Sequence, residues 1–408
     1  MGFGILGWVV SILCIELGII ILGHFPFWLA AITYALRRDP YAGVQGFTPP
    51  VTIVKPVRGL AVDDEKNFLS FFAIDYPEFE ILFVVHEDAG NDPSIPVIER
   101  MIAVHPGVNA RLIRSSQRTA VHEKANNYFE GIARAKYEII NITDADTFVE
   151  RDHLRREVGP LSDPRNSMVF SIQTMNHFRS AASAFEGLYQ NGDYPVVLML
   201  LSQLGLLRFV VGHTLVFRKS EFYEFGAIDA IKDHVSDDNA WGEVMHRPGS
   251  KRIWMSRTIT HTRYPKNTWK KAAEHIVRWS MFWYKFSRFY LIVPLLQNSA
   301  LGLLTLILSL FVDPALTVRF FAWTVPLHIA GIALGAGTLV VRTLSITVSN
   351  ILFGHAWRDL RYAWTIPLRD IYTLFAAPAS AFLRKFEHAG RMYAIRGKRM
   401  VKVAEPEK

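Results

Sequence analysis

Cysteine is almost absent from this sequence, because the chain of 408 residues contains only Cys14. A single cysteine excludes a disulfide framework and a cysteine-rich metal site. Since Cys14 lies inside an apolar stretch, we interpret it as a small hydrophobic side chain. Internal repeats and low-complexity tracts are missing as well, so the chain has to be read from its composition and its local motifs.

Charge is also scarce. Charged residues make up 20% of the chain, whereas hydrophobic residues make up 50%. With a mean hydropathy of +0.16, the chain is too apolar for an ordinary soluble enzyme and is predicted to be partly embedded in a membrane. The net charge is +8, but basic and aromatic residues are not interleaved as in a nucleic-acid module. We therefore expect no nucleic acid, and anionic lipid headgroups and an anionic nucleotide as partners.

The first membrane candidate is the nearly uncharged segment 3–36, which is long enough to span a bilayer. Arg37 and Arg38 follow this segment, and no lysine or arginine precedes it, so the positive-inside rule places the next segment in the cytoplasm. Nothing resembling a cleavage site follows, which favours an anchor over a removed signal peptide. We expect an N-terminal transmembrane anchor at residues 1–38.

The last third of the chain is apolar again. Residues 289–312 and 320–341 each have the length of a span, whereas prolines and charged residues make 365–382 a poor candidate. We expect two spans and an interfacial or re-entrant segment within residues 288–383. The basic tail at 384–408 then stays in the cytoplasm, because three crossings satisfy the positive-inside rule.

Short apolar runs alternate with helical, charged stretches from residue 49 to about residue 147. This alternation predicts right-handed crossovers and a mostly parallel sheet, so the fold class is α/β. We assign the predicted catalytic domain to residues 49–287. Within it, the apolar run 195–207 is too short to span a bilayer and is either a buried helix or a helix lying on the membrane.

Two aspartates follow the apolar strand predicted at residues 138–143. Because side chains alternate along a strand, Asp144 and Asp146 can point the same way from its carboxyl end, where open α/β sheets bind ligands. Two carboxylates and the phosphates of a substrate can hold Mg²⁺. A solvated Asp-x-Asp turn or a helix cap is the alternative. The pair predicts a metal-bridged nucleotide diphosphate site.

Two neighbouring segments offer further ligands for a nucleotide. Lys124 opens a predicted helix, where its charge adds to the positive end of the helix and suits a diphosphate; a solvated lysine is the alternative. Asp88 and Asp92 follow a predicted strand, where a carboxylate can accept hydrogen bonds from a base or a ribose. An ordinary polar loop explains these two aspartates equally well.

Two later segments offer groups for catalysis. One carboxylate of Asp237 and Asp238 can take a proton from an acceptor hydroxyl, or it can cap the helix that begins there. On an aromatic helix downstream, Arg278 can neutralise a leaving diphosphate and Trp279 can stack on an acceptor or lie at the bilayer surface. A juxtamembrane aromatic and basic stretch is the alternative for this helix, which also includes His275.

These motifs, in this order and spacing, resemble those of the inverting, membrane-bound glycosyltransferases of the GT-A fold, most closely the ceramide glucosyltransferase group. The resemblance covers roughly residues 50–285, and the flanking apolar segments match the layout of that family. The matching stretches are Lys55-Pro56-Val57-Arg58-Gly59, Asp75-Tyr76-Pro77-Glu78-Phe79-Glu80-Ile81-Leu82, Lys124-Ala125-Asn126-Asn127, Asp144-Ala145-Asp146, Ser236-Asp237-Asp238 and Arg278-Trp279.

The resemblance implies a GT-A type nucleotide-sugar-binding domain between N- and C-terminal transmembrane helices. A UDP-sugar would be the donor: Asp88 or Asp92 would contact its nucleoside, and Lys124 would contact its diphosphate. Asp144 and Asp146 would handle the ribose, the diphosphate and a divalent cation, Mg²⁺ or Mn²⁺.

The resemblance also assigns the catalytic groups. Asp238 would be the catalytic base, and Arg278 and Trp279 would belong to a catalytic motif of the type Gln-x-x-Arg-Trp. His275 stands where the family usually has glutamine, so the chain departs from the pattern at this donor-binding position.

The predicted function is inverting transfer of a sugar from a UDP-sugar to a hydroxyl of a membrane lipid, with a ceramide-like or hopanoid acceptor. The reaction would take place on the cytoplasmic face of the membrane, and the bacterial relatives point to a bacterial inner membrane. Two alternatives remain open, namely a processive polysaccharide synthase and a non-enzymatic membrane scaffold or transporter whose acidic loops bind a cation.

Overall fold

The structure is a computed structural model, and it describes residues 4–42, 46–61, 63–246, 251–263, 267–286, 298–320, 323–388 and 391–403. The chain divides into two compact units, each built from three stretches of sequence. The helical unit comprises Met1–Leu36, His177–Gln203 and Lys266–Leu383. The sheet unit comprises Arg37–Asn176, Leu204–Pro265 and Arg384–Lys408.

The sheet unit is built around an eight-stranded sheet. Its strands are β1 (Val51–Val57), β2 (Phe79–His86), β3 (Ala110–Ser115), β4 (Ile139–Thr143), β5 (Thr147–Phe148), β6 (Asn166–Asn176), β7 (Thr214–Arg218) and β8 (Arg252–Arg263). Their order across the sheet is β3-β2-β1-β4-β7-β6-β8-β5. The first four strands are parallel, β7 runs antiparallel to both its neighbours, and β8 runs parallel to β6. This topology confirms the predicted α/β class.

Helices occur in both units. Those of the sheet unit are α2 (Asp64–Phe72), α3 (Ser94–Val104), α4 (Glu123–Arg134), α5 (His153–Val158), α7 (Lys219–Glu224), α8 (Ala227–Ile231) and α9 (Asp237–Met245). Those of the helical unit are α1 (Ile5–Leu36), α6 (Ala181–Gln203), α10 (Trp269–Phe286), α11 (Ala300–Ser309), α12 (Leu327–Leu352) and α13 (Thr365–Ser380).

The parallel half of the sheet is covered by crossover helices over a core that includes Phe68 and Phe83, both fully buried. Helix α4 approaches the sheet closely at Gly131, where an added methyl group would stand 2.3 Å from Cγ1 of Val54. Because α4 leads into the parallel strand β4, its first residues lie at the carboxyl edge of the sheet. That edge is where Lys124 and Asp144 are found.

The strand order reverses at β1. Strands β2 and β3 follow it on one side, whereas β4 pairs with its other side. Open α/β sheets bind ligands in the crevice outside the carboxyl ends of the strands at such a reversal. The fold therefore directs attention to the residues that follow β1 and β4.

The helical unit contains a buried network of charged side chains. Arg342 on α12 donates to Asp193 on α6 at 2.7 Å and to Asp370 on α13 at 3.1 Å. Asp370 also accepts hydrogen bonds from the backbone N–H and the hydroxyl of Ser299, at 2.9 and 2.6 Å. All four residues are buried. Since a buried charge without a partner is costly, this network ties three helices of the unit together.

Among the described residues, α1 and α12 are long and apolar enough to cross a membrane, and α1 agrees with the predicted anchor. The bounds predicted for the span at 320–341 were wrong, because Thr317–Phe320 and Trp323–Pro326 pair as two antiparallel strands, β9 and β10, and the helix begins only at Leu327. Part of the predicted span 289–312 lies outside the described residues, and its remainder forms the ten-residue helix α11.

Three other segments have defined structures. The apolar run 195–207 belongs largely to α6, which continues to Gln203 and buries Leu198 and Met199, in agreement with the buried-helix alternative. Residues 365–382 are mostly helix α13. The basic tail forms a small antiparallel sheet that we did not predict, with strands β11 (Lys385–His388), β12 (Arg391–Arg396) and β13 (Arg399–Lys402).

Candidate active site

A cavity of about 460 Å³ opens in the sheet unit at the carboxyl ends of β1 and β4. This is the position that the reversal of strand order indicates. Charged and aromatic side chains form part of its lining. They include Arg58, Asp64, Glu123, Lys124, Asp144, Asp146 and Tyr393. The cavity therefore brings together three of the predicted site residues, Lys124 and both aspartates of the pair.

Asp144 is fixed from two sides. The backbone N–H of Asp144 donates to the carbonyl of His213 at 3.1 Å, where the antiparallel pairing of β4 and β7 continues beyond Thr143 and Thr214. Nδ1 of His213 donates to Oδ2 of Asp144 at 3.1 Å, and Nζ of Lys124 lies 2.7 Å from Oδ1. Burial alone would raise the pKa of Asp144, but Lys124 and His213 hold it well below its usual range. The carboxylate is therefore ionised at neutral pH.

Asp144, Asp146 and His213 form a group with the donor atoms that a divalent cation requires. Each offers one ligand atom, and these atoms all lie within 4.8 Å of one another. Two carboxylates and an imidazole suit Mn²⁺, and the carboxylates also suit Mg²⁺. The side chain of Asp146 is exposed and lines the cavity, so its carboxylate can bind a cation there. These residues fit the expected cation.

His213 and Lys55 were missed by the sequence analysis as site residues. Lys55 is fully buried at the end of β1, where its Nζ donates to the backbone carbonyl of Asp144 at 2.8 Å and lies 3.7 Å from the ring centre of Phe71. Burial lowers the pKa of Lys55 to about 7, although Asp144 and Asp146 oppose this shift. Lys55 lies in one of the matching motifs, whereas only the pairing of β7 with β4 identifies His213.

Asp238 lies in the first turn of α9, and residues just before β7 hold it there. The backbone N–H of Val210 donates to the carbonyl of Asp238 at 3.3 Å. Burial, followed by the charge of Asp237, raises the pKa of Asp238 to about 7. A general base works best when its pKa is close to the operating pH. The raised pKa thus suits Asp238 to accept a proton.

Lys124 connects the aspartate pair with α9 electrostatically. Burial alone would lower the pKa of its ammonium group, but the carboxylates of Asp144, Asp237 and Asp238 raise it far above the ordinary value for lysine. Lys124 is therefore charged at all physiological pH values. Its position at the first turn of α4 adds this charge to the positive end of the helix, where an anion binds well.

Asp88 and Asp92 do not belong to the set of side chains that lines the cavity in the described structure. Asp88 is exposed and forms an ion pair with Arg118 at 2.8 Å. Asp92 is buried, and its carboxylate accepts hydrogen bonds from the N–H groups of Gly59 and Ser94 at 2.7 and 2.9 Å and from the Ser94 hydroxyl at 2.6 Å. Asp92 thus holds two loops together, and a contact of either aspartate with the nucleoside stays a prediction.

His275, Arg278 and Trp279 lie on α10 in the helical unit. His275 forms an ion pair with Glu186 of α6, and its ring lies 5.0 Å from the ring of Trp279 in an edge-on arrangement. Sequence reasoning gave no role to Glu186, because its partner is nearly ninety residues away. The roles predicted for His275, Arg278 and Trp279 stay predictions.

Comparison with known proteins identifies relatives of this chain. Ceramide glucosyltransferase 1 of Caenorhabditis elegans is 23% identical over 242 residues, which are 58% of this chain and 50% of the relative. The ceramide glucosyltransferase of Komagataella phaffii is 35% identical over 116 residues, 28% of this chain and 22% of the relative. The chain thus spans half or less of the length of these curated relatives.

A solved structure and a family model match most of the chain. The mannosyltransferase of Pyrobaculum calidifontis, solved in complex with GDP-Man and Mn²⁺, superposes with a TM-score of 0.53 at 17% identity, covering 92% of this chain and 99% of the mannosyltransferase. This likeness confirms the GT-A fold. The family model of glycosyl transferase family 21 matches residues 19–401. The chain therefore belongs to glycosyl transferase family 21.

Proposed function

We propose that this glycosyltransferase moves a sugar from a UDP-sugar to a hydroxyl group of a membrane lipid, with inversion at the anomeric carbon. A ceramide-like or hopanoid lipid is the proposed acceptor. The matches to ceramide glucosyltransferases support a lipid acceptor, and helices α1 and α12 support a membrane location. The donor, the acceptor and the stereochemistry are parts of this proposal.

One observation supports it above the others. At the carboxyl edge of one sheet, a group suited to a divalent cation (Asp144, Asp146 and His213) meets the permanently charged Lys124. Asp238, with a pKa near 7, interacts electrostatically with the same lysine. A transferase of this kind needs a positive region for the leaving diphosphate and a base for the acceptor, and this edge offers both.

Different residues carry out the parts of the proposed single-displacement reaction. The acceptor oxygen attacks the anomeric carbon from the side opposite the diphosphate, and the bond between that carbon and the phosphate oxygen breaks. Asp238 takes the proton of the attacking hydroxyl onto its carboxylate. Lys124 faces the negative charge that appears on the diphosphate, and the amino end of α4 adds to its effect.

Asp144, Asp146 and His213 would hold a divalent cation, Mg²⁺ or Mn²⁺. When bound, such an ion would supply Lewis-acid chemistry that stabilises negative charge on the leaving diphosphate. The chain itself keeps Asp144 ionised and in place through His213 and Lys124. Lys55 also holds the backbone of Asp144, because its Nζ donates to the carbonyl of that residue. Asp144 is thus held in place by contacts with three side chains.

The sheet unit is proposed to lie on the cytoplasmic face of a bacterial inner membrane. Its three stretches of sequence form one compact body, so all three lie on the same side of the bilayer. Residues 266–383 must then cross the membrane an even number of times. This agrees with a cytoplasmic tail and favours α13 as an interfacial or re-entrant helix.

The decisive experiment uses membranes that contain the protein, a panel of UDP-sugars and GDP-mannose, an extracted lipid mixture and Mn²⁺. Mass spectrometry of the lipids should show one new glycolipid that carries a single sugar, formed with one UDP-sugar. Membranes that contain the Asp238→Asn variant serve as the matched control. A product formed only with GDP-mannose would contradict the proposed donor.

The same assay distinguishes the two other functions. A processive polysaccharide synthase would give a ladder of long products in place of one glycolipid. A scaffold or transporter with cation-binding loops would give no product and no hydrolysis of any nucleotide sugar. Either result would contradict the proposal.

A further inference from the structure

We propose that the small C-terminal sheet formed by β11, β12 and β13 is a wall of the donor cavity, and that Tyr393 on β12 contacts the bound nucleoside diphosphate. This inference rests on the proposed function, because it takes the cavity to be the site of a nucleotide sugar. It gives a binding role to the basic tail, for which the sequence alone predicts only a cytoplasmic location.

Tyr393 has the position and the support of a binding residue. It lines the same cavity as Lys124, Asp144 and Asp146, although its side chain is only 3% exposed. The ring of Phe386 stacks on the ring of Tyr393, with centroids 5.6 Å apart and planes 25° apart. A rigid aromatic side chain held in this way offers a large contact area at little entropic cost.

An ion pair holds the tail against α4. A guanidinium nitrogen of Arg391 lies 3.7 Å from a carboxylate oxygen of Glu123, and the same carboxylate also pairs with Arg58. Glu123 is the first residue of α4 and precedes Lys124. The tail therefore reaches the helix end that is proposed to bind the diphosphate, two residues before the tyrosine that lines the cavity.

Backbone pairing holds the tail against the segment that leads to α9. The N–H of Met400 donates to the carbonyl of Asp233 at 2.7 Å, and the N–H of Val235 donates to the carbonyl of Lys398 at 2.8 Å. The side chain of Lys398 forms an ion pair with Glu243 of α9. Extended backbone pairing of this kind is how a strand is added to an existing structure. The tail is thus attached at two places, and one of them, Glu123, lines the cavity for which the tail is proposed to be a wall.

The test measures binding of UDP with Mn²⁺ to the full chain in detergent by calorimetry. We expect Tyr393→Ala to weaken UDP binding about fivefold or more, as truncation of a buried aromatic contact does. Met392→Ala is the matched control, because Met392 precedes Tyr393 on the same strand and is 41% exposed. Its UDP affinity should equal that of the unaltered protein.

A second variant and a second measurement separate contact from folding. Tyr393→Leu keeps an apolar side chain against Phe386 but removes the aromatic contact, so we expect it to lose UDP affinity as well. Hydrogen exchange of the amides of Val235 and Met400 should stay slow in this variant, which would show that the tail is still attached.

Three outcomes have distinct meanings. If Tyr393→Ala and Tyr393→Leu bind UDP as tightly as the unaltered protein, the inference is wrong. It is also wrong if only Tyr393→Ala loses affinity and its tail amides exchange rapidly, because the tyrosine then acts only in folding. If the unaltered protein binds no UDP in the presence of Mn²⁺, the UDP-sugar donor of the proposed function is wrong, and the inference about Tyr393 is wrong with it.

Discussion

Gly212 lies against the carboxylate of Asp238 so closely that a methyl group on its α-carbon would stand 2.0 Å from Oδ1. Gly212 precedes His213, whose imidazole donates to Asp144. The short segment before β7 therefore contacts both the proposed base and the proposed cation site. The carboxylate of Asp238 can take this position only because residue 212 is a glycine without a side chain.

The Gly212→Ala variant should lose transfer activity while the protein stays folded. Gly212 has no positive φ angle, so alanine fits the backbone, and only the Asp238 carboxylate has to move. A displacement of about 1 Å can lower the rate roughly a hundredfold. Gly107→Ala is the control, since nothing lies within 4 Å of the added methyl group there. Equal activity of both variants would contradict the tight placement.

Asp238→Asn should lower the turnover rate by roughly 10²- to 10⁴-fold, which is the usual contribution of a general base. UDP binding should change little, because the base acts on the acceptor. The exposed Asp229, paired with Lys232, gives the control variant Asp229→Asn. Turnover measured at saturating donor, together with UDP affinity, checks both parts. Near-full activity in Asp238→Asn would rule out its assignment as the base.

The pH dependence of transfer follows from the pKa of Asp238, which burial and then Asp237 raise to about 7. The base works only when ionised, so kcat/KM for the acceptor should fall as the pH drops below about 7 and level off above it. Asp237→Asn removes one cause of the raised pKa and should shift the acidic limb to lower pH. An unchanged limb would show that another group controls it.

Replacing His213 should weaken binding of the cation. His213→Ala removes one of the three grouped ligand atoms and the hydrogen bond that orients Asp144. We expect a loss of Mn²⁺ affinity of roughly 10- to 100-fold, as found when a ligand or its orienting partner is removed. Mn²⁺ binding followed by paramagnetic resonance in the presence of UDP is the measurement, and His105→Ala is the control. Chelation of divalent cations should weaken UDP binding to the unaltered protein, because a cation held by Asp144, Asp146 and His213 would offset the charge of the diphosphate.

Cysteine labelling can test the membrane topology, because Cys14 is the only native thiol. In a Cys14→Ser background, cysteines placed at Glu150 and at Arg396, both exposed in the sheet unit, should react with a membrane-impermeant maleimide from the same side. A cysteine at Asp313, before the β9 and β10 hairpin, should react from the opposite side. Labelling of the Glu150 and Arg396 positions from different sides would contradict the proposed even number of crossings.

The first half of the sheet was predictable because its signals are local. Strands such as β2 are mostly apolar, and Asp144 follows β4 directly in the sequence. The order of the motifs also pointed to the correct fold and family. What local patterns cannot supply is the pairing of distant segments: β7 places His213 beside Asp144, yet the two residues are 69 positions apart.

The bounds of the apolar helices were harder to predict for a related reason. Residues 320–326 are apolar enough to belong to the predicted span, but Phe320 and Trp323 lie in two strands that pair with each other. Likewise, nothing near Tyr393 in the sequence indicates a binding residue, because the contacts of the tail with Glu123 and with the segment before α9 join residues far apart in the chain. Contacts between distant residues determine these features, whereas hydropathy indicates only whether a segment favours an apolar or an aqueous environment.

The discontinuity of the sheet unit has a consequence for how the protein is made. The strands β11 to β13 come after α12 and α13 in the chain, yet they belong to the sheet unit and pair with the segment just before α9. A ribosome that has finished the eight-stranded sheet has still to synthesise the membrane helices before these last strands emerge. Nascent or truncated chains that end before residue 384 therefore lack the strands β11 to β13. The sheet unit can be completed only after the helices α12 and α13 have been synthesised.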